Sequence, residues 1–159
     1  MSVAFRRESD DEHLEPKFEL PIPPGPNLVT ECGAKLIEAK VAEVEAAIGA
    51  FDLGAGTEDE LKSLKRDLRY WNTRHATMEI QPRADGDEAA FGTRVSYKLN
   101  GKKNEVSIVG DDEADPAARL IAFSSPLARA LIGAGEGDFA DFGGKADAIE
   151  VLGVRALKA

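Results

Sequence analysis

The chain has 159 residues, 43% of them hydrophobic and 31% charged, which suits one domain or two small ones with enough apolar material for a core. A formal net charge of -9 argues against a protein that coats duplex DNA by general electrostatics, although local basic patches stay open to partners. A single cysteine, Cys32, excludes an intrachain disulfide and fits a reducing, cytoplasmic compartment.

The first residues, MSVAFRRESDDEH, lack the apolar core of a signal peptide, and no run approaches the ~18 apolar residues of a membrane span. Residues 1–26 read as a proline-rich tail. EPKFELPIPPGP holds five prolines, which fix φ and remove donors, so the piece is extended. It is either a disordered or surface-hugging arm or, since Phe18, Leu20 and Ile22 alternate, a strip that docks on an edge of the body.

Residues 27–80 read as an antiparallel coiled-coil hairpin. Helix one starts at the N-cap Thr30 and runs to about Phe51, with Ile37, Val41, Val44, Ile48 and Phe51 on one stripe. Helix two carries Leu61, Leu64, Leu68, Trp71, His75 and Met78 at coiled-coil spacing and runs to about Glu79 before Pro82 stops it. Thr57 and Glu60 form the T-x-x-E capping box at its start. His75 is the one polar seam member, expected to pack at the hairpin base with Tyr70 and Trp71; one histidine makes no metal site. The connector Phe51–Glu60, FDLGAGTEDE, carries four carboxylates and two glycines, so it is an acidic tip. Glu58, Asp59 and Glu60 have an ordinary explanation, because acids in a first helical turn favour the positive end of its dipole. Asp52 sits at the opposite helix end, where a negative charge is locally unfavourable, and such breaches tend to mark function. Lys62, Arg66 and Arg69 share one face of helix two, either as a solvated row or as a cationic strip for a phosphate backbone.

Gln81–Ala90 is a linker, and residues 81–159 then change period. Val95, Tyr97 and Leu99 alternate, Asn100-Gly101 signals a hairpin, and Val106 and Ile108 alternate again. An acidic loop, Gly110–Asp115, ends at Pro116. LIAF at Leu120–Phe123 is a strand, and Ser124 or Ser125 caps a short helix with Pro126 first and Gly133 last. Asp138–Phe142 and Lys145–Val154 are strands around Gly143-Gly144. The fold class expected is α+β: the hairpin, then a mostly antiparallel sheet crossed by one short helix. The chain shows no glycine-rich phosphate loop, no HExxH and no credible Ser-His-Asp set, since His13 and His75 are its only histidines.

Several consecutive motifs carry a resemblance. VGDDEAD at Val109–Asp115, IAFSSP at Ile121–Pro126, ARALIG at Ala128–Gly133 and EGD at Glu136–Asp138 are similar in order and spacing to the Gre transcription elongation factor family, the GreA/GreB type. RDLRYW at Arg66–Trp71 and NLVT at Asn27–Thr30 resemble that family's hairpin segments, so the likeness spans roughly Asn27 to Leu157. The resemblance implies an FKBP-like second domain that binds RNA polymerase at the rim of its secondary channel while the hairpin enters the channel. It implies that the factor is no hydrolase and has no cofactor of its own, but that tip acids help hold the second Mg²⁺ of the polymerase, which cleaves backtracked RNA. By position, Asp52 matches the first tip acid, and Glu58, Asp59 and Glu60 compete for the second. Lys62, Arg66 and Arg69 would face the nascent RNA. Asp111, Asp112, Glu113, Ser125, Pro126 and Leu127 would carry polymerase docking. The expected state is a monomer without membrane contact.

The tip departs from the family's fuller acidic run, both arms look shorter than in typical cleavage factors, and the proline-rich tail is an addition. Short-hairpin relatives include regulators that bind polymerase without strong cleavage. The alternatives are therefore a cleavage-stimulating factor, a non-cleaving occupant of the channel, or an unrelated FKBP-like prolyl isomerase, for which an aromatic-lined proline pocket is not evident.

Overall fold

The structure is a computed structural model that describes residues 19–51, 54 and 56–157. The tail before Glu19, with Phe18, lies outside the described residues, as do Asp52, Leu53 and Ala55 in the connector. The element order is β1 (Asn27–Val29), α1 (Glu31–Phe51), α2 (Glu58–Thr77), β2 (Met78–Ile80), β3 (Thr93–Leu99), β4 (Lys102–Val109), a 3₁₀ turn (Pro116–Ala118), β5 (Leu120–Ala122), α3 (Pro126–Leu131), β6 (Phe139–Phe142) and β7 (Lys145–Ala156). This is an α+β protein with a helical hairpin and a sheet domain. The described residues form two compact units: one from 19–24 and Glu38–Ala76, the other from Gly25–Ile37 and 77–157.

In the first unit, α1 and α2 form where the apolar stripes required them. Val44 is buried, and Val41, Ile48, Phe51, Leu61, Leu64, Leu68 and Trp71 are half-buried. The ring of Trp71 meets Tyr70 edge-on at 5.0 Å. His75, expected in the seam, is exposed instead, and Arg74 is buried with 1% exposure.

In the second unit, the main sheet runs β5-β4-β3-β7-β6. Asn100 and Gly101 both take positive φ, 53° and 79°, so the two-residue turn between β3 and β4 is the expected one. β7 pairs with β3 and β6 antiparallel, with a bulge opposite Ser96/Tyr97. The sheet is mostly antiparallel, as expected, with one parallel pairing: β5 lies parallel to β4, with Ser107 opposite Leu120 and Val109 opposite Ala122. The connection through the acidic loop and the 3₁₀ turn is long enough to bring the chain back alongside β4 in the same direction. One face of the sheet packs the core, where Val95, Tyr97, Val106, Ile108, Ile149 and Val151 meet Ala128 and Leu131 of α3.

A second, two-stranded ladder was not expected. Helix two ends at Thr77, and Met78–Ile80 pairs in parallel with Asn27–Val29. The ladder continues in Gln81, whose N–H donates to the Val29 carbonyl at 2.9 Å. Pro82 forbids further helix, and the extended backbone it imposes on its predecessor finds its partners in β1.

Candidate functional site

The hairpin tip is built on a tight reversal. The Gly54 N–H donates to the Phe51 carbonyl at 2.8 Å, and Gly54 and Gly56 take φ of 87° and 102°, which only glycine adopts freely. A Cβ at Gly56 would come 2.5 Å from Phe51 Cζ, so the turn is closed down on the last apolar seam residue of α1. The Thr57 hydroxyl accepts from the Glu60 N–H at 3.3 Å, and its carbonyl accepts from the Leu61 N–H at 3.1 Å, as the capping box predicts. Glu58, Asp59 and Glu60 therefore stand in the first turn of α2. All three are exposed, and among the described residues none is ion-paired. Asp52 lies outside the described residues, so the structure places three of the four tip acids.

The basic face is divided. Lys62 is exposed. Arg66 donates to its neighbour Asp67 from Nη2 at 3.2 Å and from Nε at 3.4 Å. Arg69 holds Glu19 of the tail by two contacts, Nη2 to Oε1 at 2.5 Å and Nε to Oε2 at 3.1 Å. The hydrogen bond from Arg69 to Glu19 raises the guanidinium pKa. The sequence held no local signal for this pair, because its partners are fifty positions apart.

The two expected docking segments do come together. Ser124 Oγ donates to Asp111 Oδ1 at 2.7 Å, which fastens the acidic loop to the entry of α3. Ser125 is the N-cap, accepting from the Ala128 N–H at 3.2 Å, and Pro126 is the exposed first residue of the helix. Leu127 is half-buried and packs against the sheet core. Asp112 is half-buried in the same loop. Glu113 is committed elsewhere: it accepts from the Thr30 hydroxyl at 2.5 Å.

Thr30 has a second task that its capping pattern does not reveal. It accepts from the Gly33 N–H at 2.9 Å while donating to Glu113, so one hydroxyl caps α1 and ties the acidic loop to it. Two glycines permit this closeness. A Cβ at Gly33 would sit 2.9 Å from Glu113 Oε1, and one at Gly110 would sit 2.4 Å from the Leu28 carbonyl oxygen. On the sheet, Glu105 accepts from Arg94, from Ser96 Oγ at 2.9 Å and from Arg155 at 3.5 Å. The Arg94 hydrogen bond first, and the Ser96 one next, hold its carboxyl below the usual range.

Glu58, Asp59 and Glu60 are thus exposed together at the start of α2. Comparison with known proteins agrees with the motifs. The family model described as "Transcription elongation factor, GreA/GreB, C-term" matches residues 83–155. The transcription elongation factor GreA of Brucella anthropi is 34% identical over 118 residues, covering 72% of this chain and 70% of that protein. GreA of Brucella canis is 38% identical over 99 residues, covering 61% of this chain and 58% of that protein. Among solved structures, GreA factor homolog 1 of Thermus thermophilus aligns with 83% of this chain and 100% of its own, at 16% identity and a TM-score of 0.37. The GreA/GreB factor of Nitrosomonas europaea aligns with 82% of this chain and 98% of its own, at 13% identity and a TM-score of 0.38. The chain belongs to the GreA/GreB family of transcription elongation factors.

Proposed function

We propose that this chain is an accessory factor of RNA polymerase that stimulates cleavage of backtracked RNA without being a hydrolase itself. Its sheet domain docks at the rim of the secondary channel, using the acidic loop Asp111, Asp112 and Glu113 and the helix entry Ser125, Pro126 and Leu127. The hairpin enters the channel, and the tip acids Asp52, Glu58, Asp59 and Glu60 supply oxygen ligands beside the polymerase's own Mg²⁺. Lys62, Arg66 and Arg69 face the extruded RNA. The single observation behind this reading is the set of exposed carboxylates at the tip, Glu58, Asp59 and Glu60, without ion pairs among the described residues.

The donor set suits a shared ion. Mg²⁺ is bound through one or two carboxylates while keeping several waters. Among the described residues no group of three or more His, Cys, Asp or Glu side chains could hold a metal without help. When present, the ion activates water and stabilises charge developing on phosphate. This chain contributes negative charge, carried to the end of two helices of 21 and 20 residues. Each is on the order of 30 Å long.

A second reading is a channel occupant that binds polymerase without promoting cleavage. The capping of α2 by Thr57 supports it, because first-turn acids then have a structural reason to be there. Halted, backtracked elongation complexes separate the two. Cleavage stimulated by the wild type and lost in Asp52→Ala and in the combined Glu58, Asp59 and Glu60 alanine variant supports the first reading. Binding with no cleavage supports the second, and absence of polymerase binding contradicts both.

A further inference from the structure

The sheet unit contains a cavity of about 180 Å³, of whose lining the proposed function uses Glu113 alone. It opens between the start of α1, the segment following β2, and β3 and β4. Phe91, Leu120 and Leu157 give it an apolar wall. Ser107 also lines it, at 1% exposure, and its hydroxyl is the buried side-chain polar atom for which no hydrogen-bond partner exists among the described residues. Buried hydroxyls are almost always satisfied, and nearby Thr93, equally buried, donates to the Ala90 carbonyl at 2.7 Å. An unsatisfied hydroxyl beside an open cavity marks a place where an entering group gains a hydrogen bond.

The charged lining narrows what could enter. Arg83 has no carboxylate partner among the described residues; its guanidinium reaches only the Leu157 carbonyl, at 3.4 Å. Glu31 and Glu113 line the same cavity with the opposite sign, and Glu31 is exposed. A simple anion would meet two carboxylates there, and a simple cation would meet Arg83 and Arg94, the second of which is already held by Glu105. A ligand with both signs on a small apolar body complements all of these groups together.

We propose that this cavity binds a small apolar zwitterion, of the chemical class of an α-amino acid with an apolar side chain. Its carboxylate lies on Arg83, its ammonium faces Glu31 and Glu113, its side chain covers Phe91 and Leu120, and the Ser107 hydroxyl gains a polar partner. Cys32 lines the rim with an exposed thiol, which provides a built-in reporter.

The test is an NMR titration of the full chain with L-leucine and L-phenylalanine, paired with the rate of Cys32 alkylation by N-ethylmaleimide. The expected result is shifts confined to residues of the cavity wall with Kd of about 1 mM or tighter for at least one of the two, and alkylation slowed several-fold at saturation. N-acetyl-leucine and leucine amide, each lacking one charge, bind roughly tenfold more weakly. Arg83→Ala weakens binding by a similar factor. Ser107→Ala removes a hydroxyl that has no partner among the described residues, so it leaves folding intact and weakens binding by about threefold to tenfold. No shift with either amino acid at about 10 mM, equal binding of the single-charge analogues, or unchanged affinity in both variants would overturn the proposal. A cavity holding only water gives the first of these results.

Discussion

The hairpin arms and the sheet unit place their apolar residues very differently. In the sheet unit a single cluster joins Ala89, Val95, Tyr97, Val106, Ile108, Ala128, Leu131, Ile149 and Val151, nearly all without exposure. Along the arms beyond Glu38, Val44 is the buried apolar residue among those described, and the other seam residues are half-buried. The sheet unit has an inside, whereas the arms have only a seam. A seam is enough to hold a rod straight, and it leaves the rod's end free of packing demands. That is why the tip can carry unpaired acids that a packed core would not tolerate.

The largest effect should come from cutting the core. Leu131→Ala, at a fully buried site, should cost about 2–5 kcal/mol in urea denaturation, while Val44→Ala in the seam should cost less than half as much. Equal costs would erase the contrast between core and seam. Next comes Gly110→Ala. Its Cβ would fall 2.4 Å from the Leu28 carbonyl oxygen, and the backbone shift needed should cost about 1–3 kcal/mol by thermal unfolding. A neutral result would mean that the acidic loop is not held tightly against β1. Thr30→Ala removes both a cap and the link to Glu113, and about 1–2 kcal/mol should be lost. Thr30→Ser, which keeps the hydroxyl, should recover most of it.

The smallest effect is one of pH. Glu105 has a folded-state pKa held below its unfolded value, chiefly by the Arg94 hydrogen bond. Its stabilisation is therefore fully present above the unfolded value of about 4.3 and is lost as pH falls through the lower folded value. Because the side chain is partly exposed, the loss should be about 1 kcal/mol or less. Glu105→Gln should flatten the acid limb of a stability-versus-pH curve. An identical limb in that variant would assign acid sensitivity to other carboxylates.

The parts legible in the sequence were those with local rules. The seam spacing located both arms, Thr57-x-x-Glu60 located the start of α2, and Asn100-Gly101 located a hairpin to the residue. What escaped were pairings over distance. The β1–β2 ladder joins three residues to three others across most of the hairpin, with no turn between them to announce it. The parallel direction of β5 depends on the path of its connection, which alternation does not encode. Arg74 rather than His75 is the buried residue at the end of α2, and the seam spacing pointed to its neighbour. At the candidate site, the acids were legible as composition. The engagement of Arg69 by Glu19 and of Glu113 by Thr30 was not, and both change which charges remain available to a partner.

The central claim is that this hairpin's acids act at another protein's active site. The direct measurement is the rate of RNA cleavage in backtracked complexes as a function of factor concentration, for the wild type and for the combined Glu58, Asp59 and Glu60 alanine variant. The account predicts that the variant's maximal rate falls at least about tenfold while its half-saturating concentration stays within about twofold, as the proposed docking through the sheet unit requires. A variant that cleaves at the wild-type maximal rate would contradict it.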